Sequence, residues 1–87
     1  MEYQNINDGN LVLAYKFDKK DNTFNQPRWV TEQIVNFNII VESEDFYIIK
    51  SEGFVEKGNY GDYILLDIND DMSIVDEDTF KNKYKEV

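Results

Sequence analysis

Hydrophobic and polar positions along this 87-residue chain switch between a two-residue and a helical period. Leu11, Leu13, Tyr15 and Phe17 alternate with Val12, Ala14 and Lys16, the period of a strand covered on at least one side. From Trp29 the spacing changes. Trp29, Val30, Gln33, Ile34 and Phe37 share one helical stripe, while Arg28, Thr31, Glu32 and Asn36 lie toward solvent. Pro27 belongs in a first turn, where its missing N–H costs little, and Asn25 is the candidate cap, so a helix is predicted over 27–37.

Three short runs rich in β-branched and aromatic residues follow, at 38–42, 46–50 and 54–56, separated by Ser43-Glu44-Asp45 and Ser51-Glu52-Gly53. Such runs between turn formers predict an antiparallel meander. Gly58, Asn59 and Gly61 mark an irregular connection in which small residues supply positive φ. The last third organises the rest. Strands are predicted at 62–68 and 72–75 around the Asn69-Asp70-Asp71 turn, with Ile64, Leu66 and Ile68 on the drier face of the first. Asp76 then caps a closing helix over 77–86. Glu77 and Asp78 lie in its acidic first turn, Lys81, Lys83 and Lys85 toward its end, and Val75 and Phe80 have the spacing of a hydrophobic staple.

The fold class is therefore α+β: a small, curved, mainly antiparallel sheet with one helix after the first strand and one C-terminal helix. The predicted core is Leu13, Phe17, Trp29, Ile34, Phe37, Ile40, Ile48, Ile64, Leu66, Ile74, Phe80 and Tyr84. A chain this short buries one modest core, about 60–65% of its unfolded surface, and reads as a single domain over 1–87. Residues 1–10, which lack periodicity and end in Asp8-Gly9-Asn10, are expected to be loosely ordered.

Composition narrows the chemistry. Hydrophobic residues make up 41% and aromatic residues 15%, enough for a small core closed by large side chains. Cys and His are both absent. That removes thiol nucleophiles, thiolate metal sites and the side chain best suited to proton transfer near neutral pH, so no enzyme activity and no cofactor are expected. There is no basic leader before an apolar core and no apolar run of about 18 residues, so a cytoplasmic address is expected, without a membrane partner.

Eighteen acidic residues against nine basic ones give a net charge of −9. Phosphate backbones and anionic lipid surfaces are repelled at long range, which argues against direct nucleic-acid binding and favours a protein partner of basic character. The acidic residues Glu42, Glu44, Asp45, Glu52, Glu56, Asp62, Asp67, Asp70, Asp71, Asp76, Glu77 and Asp78 fall mostly in turns and at element ends. Displayed together they would imitate a nucleic-acid backbone and occupy the basic groove of a host nuclease. The plainer reading is that they keep the protein dispersed.

Candidate partner-binding residues are Asp70, Asp71, Glu77, Asp78 and Arg28. Arg28 is included because Arg and Trp are enriched among interface hot spots and Trp29 follows it, although Trp29 suits the core better. Asp67-x-Asn69-x-Asp71 has the alternation that opens a calcium loop, but Met72 stands where that loop needs Gly and Asp78 where it needs Glu, so an acidic hairpin turn is the better reading. Asp62 and Asp67 are a formal carboxylate pair, and Asp62 reads more simply as a loop-end cap. Tyr47, Tyr60 and Tyr63 offer a stacking platform for a nucleotide, a third class of function, without the basic groove such binding uses.

A group of short motifs adds a resemblance. Ala14-Tyr15-Lys16-Phe17-Asp18, Pro27-Arg28-Trp29, Glu52-Gly53, Gly61-Asp62-Tyr63-Ile64 and the closing Asp78-Thr79-Phe80-Lys81-Asn82-Lys83-Tyr84-Lys85-Glu86-Val87 occur in an order that resembles a widespread group of small bacteriophage and prophage proteins of unassigned function. The likeness covers roughly residues 11–87. It implies a phage or prophage origin, with a bacterial host cytoplasm as the address, and a fold, and it assigns no site residues.

Overall fold

The structure is a computed structural model that describes residues 2–18, 26–50 and 52–87. Eight strands and two helices follow in the order β1 (Glu2–Asn5), β2 (Leu11–Lys16), α1 (Arg28–Val35), β3 (Ile39–Val41), β4 (Asp45–Ile49), β5 (Val55–Asn59), β6 (Tyr63–Asp67), β7 (Met72–Val75), α2 (Glu77–Lys83) and β8 (Tyr84–Glu86). The fold is α+β with antiparallel strand pairing, as the alternating runs predicted. The strands divide between two sheets, one of five strands in the order β7-β6-β2-β1-β8 and one of three in the order β3-β4-β5.

The five-stranded sheet is covered on both faces. Val12, Ala14 and Leu65 pack with Phe80 of α2 on one side. On the other, Phe17, Ile64 and Met72 pack with Val30 of α1 and with Ile39, Phe46 and Ile48 of the smaller sheet. Burial on both faces explains why Ile64 and Leu65, neighbours pointing in opposite directions, are both buried, while Ile68 lies beyond the strand end and is exposed. The expected dry face of β6 is therefore two dry faces.

Several local expectations change. Residues 2–5 form β1, paired with β2 on one side and β8 on the other. They lack a visible period because Tyr3 alone supplies β1's packing, against the α2 cluster. Helix α2 ends at Lys83, and the expected last turn is β8, whose Tyr84–Glu86 pair with Tyr3–Asn5. Gly58 belongs to β5 rather than to a loop, while Gly61 does take a positive φ of 105.

The helix cap expected at Asn25 lies outside the described residues, and Pro27 stands at the N-cap of α1 without a side-chain cap bond. Of the predicted core, Phe17, Ile48, Ile64 and Phe80 are buried, and Trp29, Ile34, Leu66, Ile74 and Tyr84 pack against the clusters while partly exposed. Leu13 is half-buried, and Ile40 and Phe37 are exposed. In β3 the buried residue is Ile39, one position away, which moves Ile40 to the outer face of the small sheet.

Candidate functional site

The β6–β7 turn is built by its own carboxylate. Asp67 Oδ1 accepts from the N–H of Asn69 at 2.8 Å and of Asp71 at 3.0 Å, while the Asp70 N–H donates to the Asp67 carbonyl at 3.0 Å. Asp70 takes φ 64, a left-handed conformation that Asp tolerates better than most residues. The acidic alternation thus serves a hairpin turn. Among the described residues, no group of three or more His, Cys, Asp or Glu is placed to hold a metal ion.

Facing this turn is the β4–β5 hairpin. Lys50 N–H donates to the Phe54 carbonyl at 2.7 Å and Gly53 N–H to the Lys50 carbonyl at 2.9 Å, with Gly53 at φ 85. Between the two turns, and bounded by the C-terminal end of α1, lies a groove of about 680 Å³. Asp67, Asp70 and Asp71 line one wall, and Lys50, Glu52 and Phe54 the other, with Gln33 and Asn38 at the α1 end. Among these lining residues four carboxylates stand against one lysine. Lys50 itself faces Glu56, whose Oε1 lies 3.8 Å from its Nζ and also accepts from the Ile74 N–H at 3.2 Å. Glu56 therefore ties the small sheet to β7, and the groove keeps a negative excess.

The expected partner-binding residues do not form one patch. Asp70 and Asp71 lie at the groove, whereas Glu77 and Asp78 begin α2 at the other end of β7, about 13 Å away by strand rise. Glu77 is engaged by Lys16, Nζ to Oε2 at 2.7 Å, and this bond holds its carboxyl below the usual range and raises the Lys16 ammonium. Asp78 is exposed on the first turn of α2. Arg28 is exposed at the start of α1 and pairs with Glu32 one turn on, Nε to Oε1 at 3.0 Å, so it stands apart from both acidic groups.

Other acidic residues have structural tasks. Asp62 Oδ2 accepts from the Asn59 N–H at 2.9 Å, as expected of a loop-end cap. Asp62 and Asp67 lie beyond and at opposite ends of β6, too far apart to work as a pair. Asp45 pairs with Lys57 at 3.2 Å, a bond that raises the Lys57 ammonium.

The tyrosine platform is not assembled. Tyr63 stacks on Phe80 with centroids 3.9 Å apart, beneath α2. Tyr60 packs against Phe17 and Phe46, and its hydroxyl donates to the Glu42 carbonyl. Tyr47 pairs with Ile40 and Lys57 within the small sheet.

Sequence reasoning located Asp70 and Asp71 but missed the wall opposite them. Lys50, Glu52 and Phe54 are distant in sequence from 67–71, and only the docking of the two sheets brings the hairpins together. Among the described residues no helix is long and apolar enough to cross a membrane. Comparison with family models, with curated proteins and with solved structures finds no match for this chain.

Proposed function

We propose that the chain is a non-enzymatic accessory protein of phage or prophage origin that binds a basic protein partner through the groove between the β4–β5 and β6–β7 turns. It acts in the cytoplasm of the bacterial host and takes protein rather than nucleic acid. The observation that carries this reading is the groove's composition: four carboxylates and one lysine beside the exposed ring of Phe54. Acidic side chains steer and orient a basic surface, while an exposed aromatic ring supplies affinity. The lack of His and Cys supports a binding role over catalysis.

The test is a pull-down from bacterial host lysate at 50 and 500 mM salt, comparing the parent with an Asp70→Asn/Asp71→Lys variant and an Asp78→Lys variant. Asn is chosen at 70 because it keeps the left-handed conformation accessible. A basic protein recovered at low salt, weakened at high salt and lost with the groove variant alone is the expected result. Nucleic-acid mimicry through the whole acidic surface would instead require the Asp78 variant to weaken binding equally. Capture that ignores both salt and the Asp70/Asp71 change would overturn the groove reading.

A further inference from the structure

We infer that Phe37 and Phe54 are the apolar jaws of the groove and that its occupant is a basic segment of a protein partner carrying an aliphatic or aromatic anchor beside its Lys or Arg residues. This rests on the protein-binding reading above and names the chemistry of the occupant. The first observation is backbone strain at Phe37. Helix α1 closes in a Schellman motif, with the Asn38 N–H donating to the Gln33 carbonyl at 2.9 Å and the Phe37 N–H to the Ile34 carbonyl at 3.1 Å. The residue between them must be left-handed, and Phe37 has φ 62. Gly or Asn fills that position without the clash between Cβ and carbonyl that a bulky side chain meets.

A second observation removes the usual compensation for such strain. The Phe37 ring is not buried: the residue is 77% exposed, and Phe54 is 66% exposed. Phe54 lines the groove, its carbonyl accepting from the Lys50 N–H, and Phe37 directly precedes the lining residue Asn38, whose carbonyl accepts from the Ile49 N–H. One exposed aromatic residue thus lines the groove, and a second stands next in the chain to its lining. Exposed aromatics with a polar rim are what binding hot spots need, and strained residues that return no packing mark functional positions.

Charge chooses the occupant. Across the groove from Phe54 stand Asp67, Asp70 and Asp71, and the chain carries −9 overall. A second copy would bring the same sign to this surface, whereas a Lys- or Arg-bearing segment is complementary to it. An anchor between the rings would then place its flanking cations toward the β6–β7 turn.

The test pans a displayed library of random 12-residue peptides against the immobilised protein, with the Phe37→Ser/Phe54→Ser double variant as counter-selection. Affinities of the enriched peptides are then measured by calorimetry. Enrichment of peptides joining Lys or Arg to Leu, Ile, Phe or Trp is expected, with affinity falling about tenfold or more in each single Ser variant. Phe37→Gly separates function from folding. It should lose the same affinity while raising the melting temperature by about 4–8 °C, because the strain is relieved. Neutral or acidic winners, or winners that bind Phe37→Ser and Phe54→Ser within twofold of the parent, overturn the jaws. If such winners are still lost with Asp70→Asn/Asp71→Lys, the groove stands as a protein site and only the jaws fall. Peptides insensitive to both sets of changes remove both readings. A concentration-dependent dimer in sedimentation, abolished by Phe37→Ser, would name a second copy as the occupant and overturn the basic segment.

Discussion

At Phe37 a bulky side chain occupies the left-handed position that ends α1, with its ring in solvent. The left-handed backbone costs an ordinary residue about 1–2 kcal/mol. Phe37→Gly should therefore stabilise the folded protein by about 1 kcal/mol, read as a higher denaturant midpoint at unchanged slope. Gly58 makes the reverse case. It sits in β5 directly across from Phe46, and a Cβ there would overlap the Phe46 ring. Gly58→Ala should cost about 1–3 kcal/mol, because the fully buried Phe46 has nowhere to move. Both residues were misread from sequence for one reason. A Phe at the end of an apolar stripe looks like core, and a Gly between polar residues looks like a loop, until the partner strand is known.

Among the elements, α2 is the most fully specified by its own residues. Its cap is the Thr79 N–H donating to Asp76 Oδ1 at 2.7 Å, and Val75 and Phe80 join the same cluster, as the staple spacing predicted. Phe80 is the centre of that cluster, stacked on Tyr63 and Tyr84 and edge-on to Tyr3. Phe80→Ala should cost about 3–5 kcal/mol in chemical denaturation, a large share of the stability of so small a fold.

The cap bond holds the Asp76 carboxyl below its ordinary value. Because the folded state has the lower pKa, the contribution is complete above the unfolded value of about 3.9. It is lost as pH falls through the folded one. Asp76→Ala should thus lower the melting temperature at pH 7 and shrink its difference from the parent below pH 4, whereas Asp76→Asn, which retains an acceptor, should change little at pH 7.

The alternation of β2, the β-branched runs of the small sheet and the Asp76 cap were legible because each depends on residues close in sequence. Strands β1 and β8 were not. Glu2–Asn5 and Tyr84–Glu86 are strands because they pair with each other and, for Glu2–Asn5, with β2, contacts that join the two ends of the chain and leave no local period. The groove was half legible for a similar reason: the acidic turn announces itself, while the facing hairpin is brought to it only by the packing of Phe46 and Ile48 against Ile64 and Met72.

On the scale of the whole molecule, sheet docking sorts the acidic residues by task. Asp62, Asp67 and Asp76 hold turns and a cap, Asp45 and Glu77 hold lysines, and Asp70, Asp71 and Glu52 are left at the groove. On the proposed reading, a partner sits in this groove and not on the acidic surface at large. Backbone hydrogen exchange of the protein, alone and saturated with the basic partner recovered at low salt, tests it most directly. Slower exchange confined to segments 33–38, 45–56 and 67–73, with 76–83 unchanged, is the predicted result. Protection centred on α2 with none at the two turns would contradict it.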